Sequence, residues 1–121
     1  MFLPGEVLRD SPADLAQRQL NAYNARDLEA FVEVYAPDVE VYAFPDKLLF
    51  KGRAKLRERY AAFFAKAGPG LHCRLVRRIT QARYVVDREH VTTGISGREE
   101  LQATAIYEIS GHHIRKVWFL K

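Results

Sequence analysis

The chain has 121 residues, of which 48% are hydrophobic and 28% charged, and it carries a net charge of +4. These values are typical of one soluble globular domain, so we expect a single domain over residues 1–121 that begins with a loose lead-in at residues 1–10. The excess of 19 Lys and Arg over 15 Asp and Glu is too diffuse to indicate a nucleic-acid partner. No apolar run is long enough to span a membrane, and the first residues lack the pattern of a signal peptide. The single cysteine, Cys73, excludes an internal disulfide and favours a reducing, cytoplasmic location.

Capping residues predict three helices in the first half of the chain. Ser11 is followed by a proline at the first helical position, and Asp27 precedes a second helical pattern, so each is a suitable N-cap. Pro37 is expected to end the second helix. Gly52 opens a third helix, which the Gly-Pro-Gly run at 68–70 ends. The apolar stripe of the second helix is predicted to consist of Leu28, Phe31, Val32 and Tyr35.

The remaining segments have the two-residue period of β-strands. The first strand is expected at residues 39–44, and a short extended piece at 48–50 precedes the third helix. Short links between the later strands predict an antiparallel meander. Because the helices come first and most strands come last, we expect an α+β fold with the helices on one face of the sheet. The later strands are predicted at residues 71–80, 83–94, 99–110 and 113–121.

Four segments in a fixed order carry a resemblance to a known family. They are Ala22 to Leu28, Tyr35 to Val39, Gly52 to Tyr60, and the strand pair from Ile106 to Trp118. Together they resemble the nuclear-transport-factor-2-like superfamily, in its SnoaL-like or steroid delta-isomerase-like branch. The resemblance implies a cone-shaped, curved mixed or antiparallel sheet with three N-terminal helices packed on its concave face, a cystatin-like roll. It also implies an enclosed cavity and homodimers formed through the outer face of the sheet.

Ketosteroid isomerases of this superfamily use three residues that the chain lacks at the matching positions. The resemblance places their carboxylate base at Ala43, their acidic donor at Ala105 and their tyrosine at Gln19. Alanine can neither take nor give a proton, and the glutamine amide donates a hydrogen bond but is a very weak acid. We therefore do not expect ketosteroid isomerase chemistry, and we expect a hollow without a buried carboxylate.

The two-residue period also predicts which side chains face the cavity. If Ala43 faces inward, the interior is expected to include Val86, Arg88 and His90 on one strand and Tyr107 on the next. The outer face is then expected to be apolar enough to favour a homodimer. That outer face is predicted to carry Val85, Val91, Ile106, Val117 and Phe119. The predicted ligand pocket consists of Gln19, Tyr23, Ala43, Phe63, Val86, Ala105, Tyr107, Trp118 and Leu120.

Three residues are candidates for catalysis. His90 could act as an acid or a base near neutral pH, although a hydrogen-bonded structural histidine is the alternative. Arg88 could clamp a carboxylate or a polarised carbonyl, or it could form a salt bridge with a neighbouring acid. Asp46 is the carboxylate nearest to the vacant base position, and the alternative is a solvated turn residue.

No metal site or cofactor is expected. His112 and His113 are adjacent, so their side chains diverge, and the sequence has no zinc-ligand spacing. A glycine-rich phosphate loop is also missing. Cys73 is expected to be a small core residue rather than a reactive thiol.

Three function classes fit these features. The first is a small enzyme, of the isomerase, cyclase or hydrolase type, that acts on a hydrophobic oxygenated metabolite. The second is a domain that binds such a hydrophobic small molecule without changing it, and the third is a protein-interaction module. An open cavity favours the first two classes, whereas a cone filled by its own aromatic side chains favours the third.

Overall fold

The computed structural model describes residues 11–95 and 100–120, and within these ranges it has three helices and six strands. None of the helices in these ranges is long and apolar enough to cross a membrane. The predicted lead-in at residues 1–10 lies outside the described residues. The helices are α1 (Pro12–Ala25), α2 (Leu28–Glu33) and α3 (Arg53–Lys66). The strands are β1 (Tyr35–Ala43), β2 (Lys47–Lys51), β3 (His72–Gln81), β4 (Tyr84–Thr92), β5 (Glu100–Ser110) and β6 (His113–Leu120).

The strands form one curved sheet in the order β2-β1-β6-β5-β4-β3. The neighbours from β3 to β6 pair antiparallel, as the meander prediction requires, and β1 pairs parallel to β6. Helix α1 packs across β3 to β6, while α3 packs against β1 and β2. The α+β fold and the mixed curved sheet with helices on its concave face are thus confirmed.

The predicted caps Ser11 and Asp27 lie at the N-terminal ends of the first two helices. The Ser11 hydroxyl accepts a hydrogen bond from the Asp14 backbone amide at 3.1 Å, and the Asp27 carboxylate does the same for Ala30 at 3.1 Å. Arg26 adopts a left-handed backbone conformation with φ of 55° and ends α1. These local bonds satisfy amides that have no partner within a helix, and so they fix the turn that joins α1 to α2.

Strand β1 begins four residues earlier than predicted. Tyr35 was expected on the apolar face of α2, but it lies in β1 opposite Ile114 of β6. The helix ends at Glu33, ahead of Pro37, because a proline disfavours helical geometry in the residue before it. The buried Tyr35 side chain therefore enters the core from the sheet rather than from the helix.

The predicted direction of the β4 side chains is wrong. Val86, Arg88 and His90 pair with Ile106, Thr104 and Gln102, and these pairs occupy the outer face of the sheet. The inward residues of β4 are those of the other parity, which include the fully buried Val85. They are Val85, Asp87, Glu89 and Val91, opposite Tyr107, Ala105, Ala103 and Leu101 of β5.

A bulge in β6 reverses the predicted direction of its second half. Ile109 pairs with Ile114 and Glu108 pairs with Lys116, which leaves Arg115 as an extra residue. Ile114 faces the core, but the bulge shifts the parity after it. Val117 and Phe119 therefore face inward, and the predicted pocket residues Trp118 and Leu120 lie on the outer face with Ile106 and Thr104.

Candidate active site

A cavity of about 370 Å³ opens between the helices and the concave face of the sheet. Its volume lies within the range of small-molecule sites in proteins. Half of its sixteen lining residues are aromatic, so most of the wall is apolar. The lining residues are Gln19, Leu20, Tyr23, Phe31, Tyr35, Phe50, Arg59, Tyr60, Phe63, Cys73, Glu89, Val91, Leu101, Ala103, Tyr107 and Phe119.

Glu89 is the carboxyl group of this cavity. It projects inward from β4 opposite Ala103, and only 7% of its surface is exposed. Burial, followed by the negative charge of Asp87, raises the pKa of Glu89 from 4.5 to about 7. The Cys73 thiol donates a hydrogen bond to the carboxylate, and this bond and Arg78 lower that pKa by smaller amounts. Near neutral pH, Glu89 can therefore both accept and donate a proton.

Asp87 is the next inward residue of β4, and it has a different environment. Arg78 of β3 binds it with two parallel hydrogen bonds, from Nε to Oδ1 at 2.7 Å and from Nη2 to Oδ2 at 2.9 Å. The Nη1 group of Arg78 also donates to Gln17 Oε1 at 3.0 Å. The fully buried Asp87 is thus held by a bidentate ion pair, and Arg78 is occupied by Asp87 rather than by Glu89.

Gln19 links two buried tyrosines on the wall of the cavity. Its Nε2 group donates to the Tyr107 hydroxyl at 3.1 Å and to the Ala16 carbonyl at 3.0 Å. Its Oε1 atom accepts a hydrogen bond from the Tyr35 hydroxyl at 3.2 Å. Burial raises the pKa values of Tyr35 and Tyr107 well above the ordinary value, so both phenols keep their protons.

Aromatic rings form the helical side of the cavity. The Tyr23 and Phe63 rings stack with centroids 6.1 Å apart, and Phe31 contacts Tyr60 at 4.5 Å. Desolvation raises the pKa values of Tyr23 and Tyr60, which therefore remain neutral hydrogen-bonding groups. On the same lining, the Arg59 guanidinium lies 4.7 Å from the centroid of the Phe50 ring. The cavity thus combines flat apolar walls with a few hydroxyl groups.

The structure brings four of the predicted pocket residues together, namely Gln19, Tyr23, Phe63 and Tyr107. Ala43 faces inward as predicted, but it lines a separate hollow with Phe119 and Leu120. Ala105 is fully buried on the inner face, behind the surface of the cavity.

The three predicted catalytic side chains lie away from the cavity. His90 is on the outer face, where its Nε2 atom is 3.5 Å from Glu100 Oε2. Arg88 is exposed on the same face and donates to Gln102 Oε1 at 3.3 Å. Asp46 is an exposed residue of the turn between β1 and β2. The pairing of β4 thus removes the geometric basis for the predicted roles of His90 and Arg88.

The expectation of a hollow without a buried carboxylate is also wrong, because Glu89 and Asp87 both face the interior. The sequence contained a signal for this arrangement. Val85 and Val91 share the parity of Asp87 and Glu89, so two of the four residues on that face are β-branched and apolar. If the inward face of β4 is taken to be the one with two valines rather than the one with His90, the observed direction of its side chains is predicted.

Among the described residues, no group of three or more His, Cys, Asp and Glu side chains could hold a metal ion. Cys73 is buried, as predicted, and its thiol contacts Glu89. Burial and the Glu89 charge raise the pKa of this thiol, which disfavours the thiolate. In this part of the molecule, Glu89 is therefore the side chain best suited to proton transfer.

Comparisons with known proteins agree with this architecture. The family model of the SnoaL-like domain matches residues 16–117. An uncharacterised cystatin-fold protein from Novosphingobium aromaticivorans superposes with a TM-score of 0.83 at 28% identity, over 92% of this chain and 98% of that chain. No curated protein matches the chain significantly.

Two further solved structures share the fold at lower identity. A candidate polyketide cyclase from Sinorhizobium meliloti has a TM-score of 0.74 at 17% identity, over 88% of this chain and 94% of that chain. An LEH-like epoxide hydrolase from M. tuberculosis has a TM-score of 0.74 at 13% identity, over 89% of this chain and 80% of that chain. At these identities the similarity establishes the common fold.

We predict that replacing Glu89 by glutamine makes the protein less sensitive to rising pH. Below pH 4.5 the carboxyl is protonated in the folded and the unfolded chain, and above about pH 7 it is ionised in both. Because ionisation is harder in the folded state, the wild type loses about 3 kcal/mol of unfolding free energy across this interval. Glu89→Gln should remove that loss, as urea unfolding at pH 4 and pH 9 can measure. An equal effect of the substitution at both pH values would contradict the assignment.

Proposed function

Because the chain belongs to the family of SnoaL-like domains, we propose that it is a small enzyme that transfers protons on a hydrophobic, oxygenated molecule. The observation that carries this proposal is the position of Glu89 in a mostly aromatic cavity. The adjacent residue on the inner face of β4 is Asp87 rather than a cation. A carboxyl group in such surroundings gains the near-neutral pKa that acid–base catalysis requires.

The reaction class that suits these groups is proton abstraction from a carbon atom next to a carbonyl. The Glu89 carboxylate takes the proton, the electron pair moves onto the carbonyl oxygen, and the proton returns to the same or another carbon atom. This sequence describes an isomerisation, and attack of the intermediate on a second carbonyl describes a cyclisation. The solved structure named as a candidate polyketide cyclase shares this fold, which is consistent with the second outcome.

The open cavity favours a pocket function over an interaction module. A volume of about 370 Å³ accommodates a ligand of two or three rings, and the stacked Tyr23 and Phe63 rings offer a flat wall to it. A binding domain without catalysis has the same walls, so the difference between the two functions rests on what Glu89 does to the bound molecule.

A ketone with exchangeable protons tests this role directly. We predict that the protein accelerates the exchange of the α-protons of 2-tetralone for deuterium in D2O, measured by proton NMR. Glu89→Gln should lower the protein-dependent rate by about a hundredfold or more, because the substituted amide is not a base. Circular dichroism that matches the wild type, together with a cooperative unfolding transition, would show that the variant folds.

The matched control lies next to Glu89 on the same strand. His90 points to the opposite face of the sheet, so His90→Gln should leave the exchange rate unchanged within about twofold. Full exchange activity in Glu89→Gln would refute the proposed role of this carboxyl. Loss of activity in His90→Gln alone would restore the histidine as the acid–base group.

We also propose that two copies of the chain pair through the outer face of the sheet. A row of apolar side chains crosses five strands of this face, since each member pairs with the next. An apolar row of this length is typical of surfaces that a partner covers. The row consists of Ile79, Val86, Ile106, Trp118 and Tyr42.

Sedimentation velocity can test the dimer. We predict that the wild type sediments as a dimer at micromolar concentration and that Ile106→Lys sediments as a folded monomer, because a lysine in the centre of the row would bury an unpaired charge. A wild type that stays monomeric at high concentration would contradict pairing.

A further inference from the structure

The hydrogen bonds of Gln19 determine where the proton of a neighbouring tyrosine points. The side-chain amide has two N–H protons on Nε2 and an acceptor oxygen, Oε1. The orientation of this amide is fixed by the Ala16 carbonyl, which lies 3.0 Å from Nε2 and can only accept a hydrogen bond. If the amide were turned over, two oxygen atoms would face each other at that position. One proton of Nε2 is therefore committed to Ala16.

The other atoms of the amide then determine which tyrosine hydroxyl donates a hydrogen bond and which one accepts. Oε1 can only accept, so the Tyr35 hydroxyl donates its proton to it. The second proton of Nε2 is directed to the Tyr107 hydroxyl, which must accept it through its oxygen atom. The same glutamine thus uses the proton of Tyr35 and leaves the proton of Tyr107 unused.

The unused proton belongs to a residue of the cavity wall. Tyr107 lines the cavity, and only 3% of its surface is exposed. Within residues 11–95 and 100–120, no hydrogen bond uses the Tyr107 hydroxyl as its donor. A buried hydroxyl group with a spare proton is satisfied by an acceptor atom that enters the cavity. Because Gln19 already donates to its oxygen, this hydroxyl is also a stronger donor than an isolated phenol.

We propose that Gln19 is a positioning residue that turns the Tyr107 proton into the cavity, where it binds an oxygen atom of the ligand. The ligand class this selects is a molecule with an acceptor oxygen on an apolar skeleton, such as a ketone or its enolate. The inference rests on the proposed function in that it specifies the substrate of the same cavity. Tyr107 would then hold the oxygen on which charge develops when Glu89 removes a proton.

A single isosteric substitution reverses the direction of the Tyr107 proton. In Gln19→Glu, the atom that replaces Nε2 is an oxygen with lone pairs that face Tyr107. An ionised carboxylate would place a second acceptor oxygen against the Ala16 carbonyl, so the buried carboxyl stays neutral and donates its one proton to that carbonyl. Tyr107 then donates to residue 19 and loses its free proton, while the shape of the side chain is kept.

A hydrogen bond to the carbonyl oxygen of a bound ketone lowers its stretching frequency. This frequency therefore shows whether the Tyr107 hydroxyl donates to the ligand. We would measure infrared difference spectra of 2-tetralone labelled with ¹³C at the carbonyl, bound to the wild type and to four variants. The wild type should show a shift of the stretch to lower frequency, and Gln19→Glu and Tyr107→Phe should lose the shift. Tyr107→Phe should also weaken binding about fivefold, the effect of one neutral hydrogen bond. The two controls, Gln17→Glu on the same helix and His90→Gln on the outer face of the sheet, should keep the shift.

The outcomes separate this inference from the proposed function. A shift that is lost in Gln19→Glu and Tyr107→Phe supports the positioning role, even if the ketone exchanges no protons. An unchanged shift in either folded variant overturns it, even if Glu89 proves to be the base. If 2-tetralone does not bind saturably to the folded wild type, the proposed ligand class is wrong and the inference falls with it. If Gln19→Glu fails to fold, Tyr107→Phe decides alone, because it keeps the ring and removes only the donor.

Discussion

The cost of keeping a carboxyl group in an aromatic cavity is the constraint on which this account of the molecule depends. Glu89 and Asp87 are neighbours on the inner face of one strand, but only Asp87 has a guanidinium partner. A buried acid that is not neutralised destabilises the folded state above its pKa, so a fold that selected only for stability would place an apolar residue at position 89. Its presence in a cavity open to small molecules is the physical reason to assign it a function.

The sheet makes room for the two acids by pairing them with small residues. Glu89 lies opposite Ala103, and Asp87 lies opposite Ala105. Ala105 is also the position at which the resemblance to ketosteroid isomerases implies an acidic donor. The carboxyl groups of this chain therefore come from β4, one strand away from that position. The methyl groups of β5 leave the space that the acidic side chains occupy. Gln19 likewise stands where the resemblance implies a tyrosine, and the hydroxyl groups come instead from Tyr35 and Tyr107 on the sheet.

Local signals in the sequence were sufficient for the fold but not for the face of each strand. Ser11 and Asp27 predicted their helix starts because capping is a property of a few adjacent residues. The directions of Trp118 and Leu120 could not be read from a two-residue period, since the bulge at Arg115 changes the parity within β6. His90 was the candidate because histidine is a common acid–base residue, whereas the residue that lines the cavity is its neighbour Glu89. One position of error along a strand exchanges the inside for the outside, so a correct fold still placed the acid–base candidate on the wrong face of the sheet.

The central claim is that Glu89 carries a strongly raised pKa inside the cavity of the folded protein. It is tested most directly by a pH titration of the side-chain carboxyl carbons of ¹³C-labelled glutamate by NMR, with the Glu89 signal assigned from its absence in Glu89→Gln. We predict a midpoint near pH 7 for this signal. A midpoint near the ordinary value of 4.5 would mean that water or a cation reaches the carboxylate, and it would contradict the proposed chemistry.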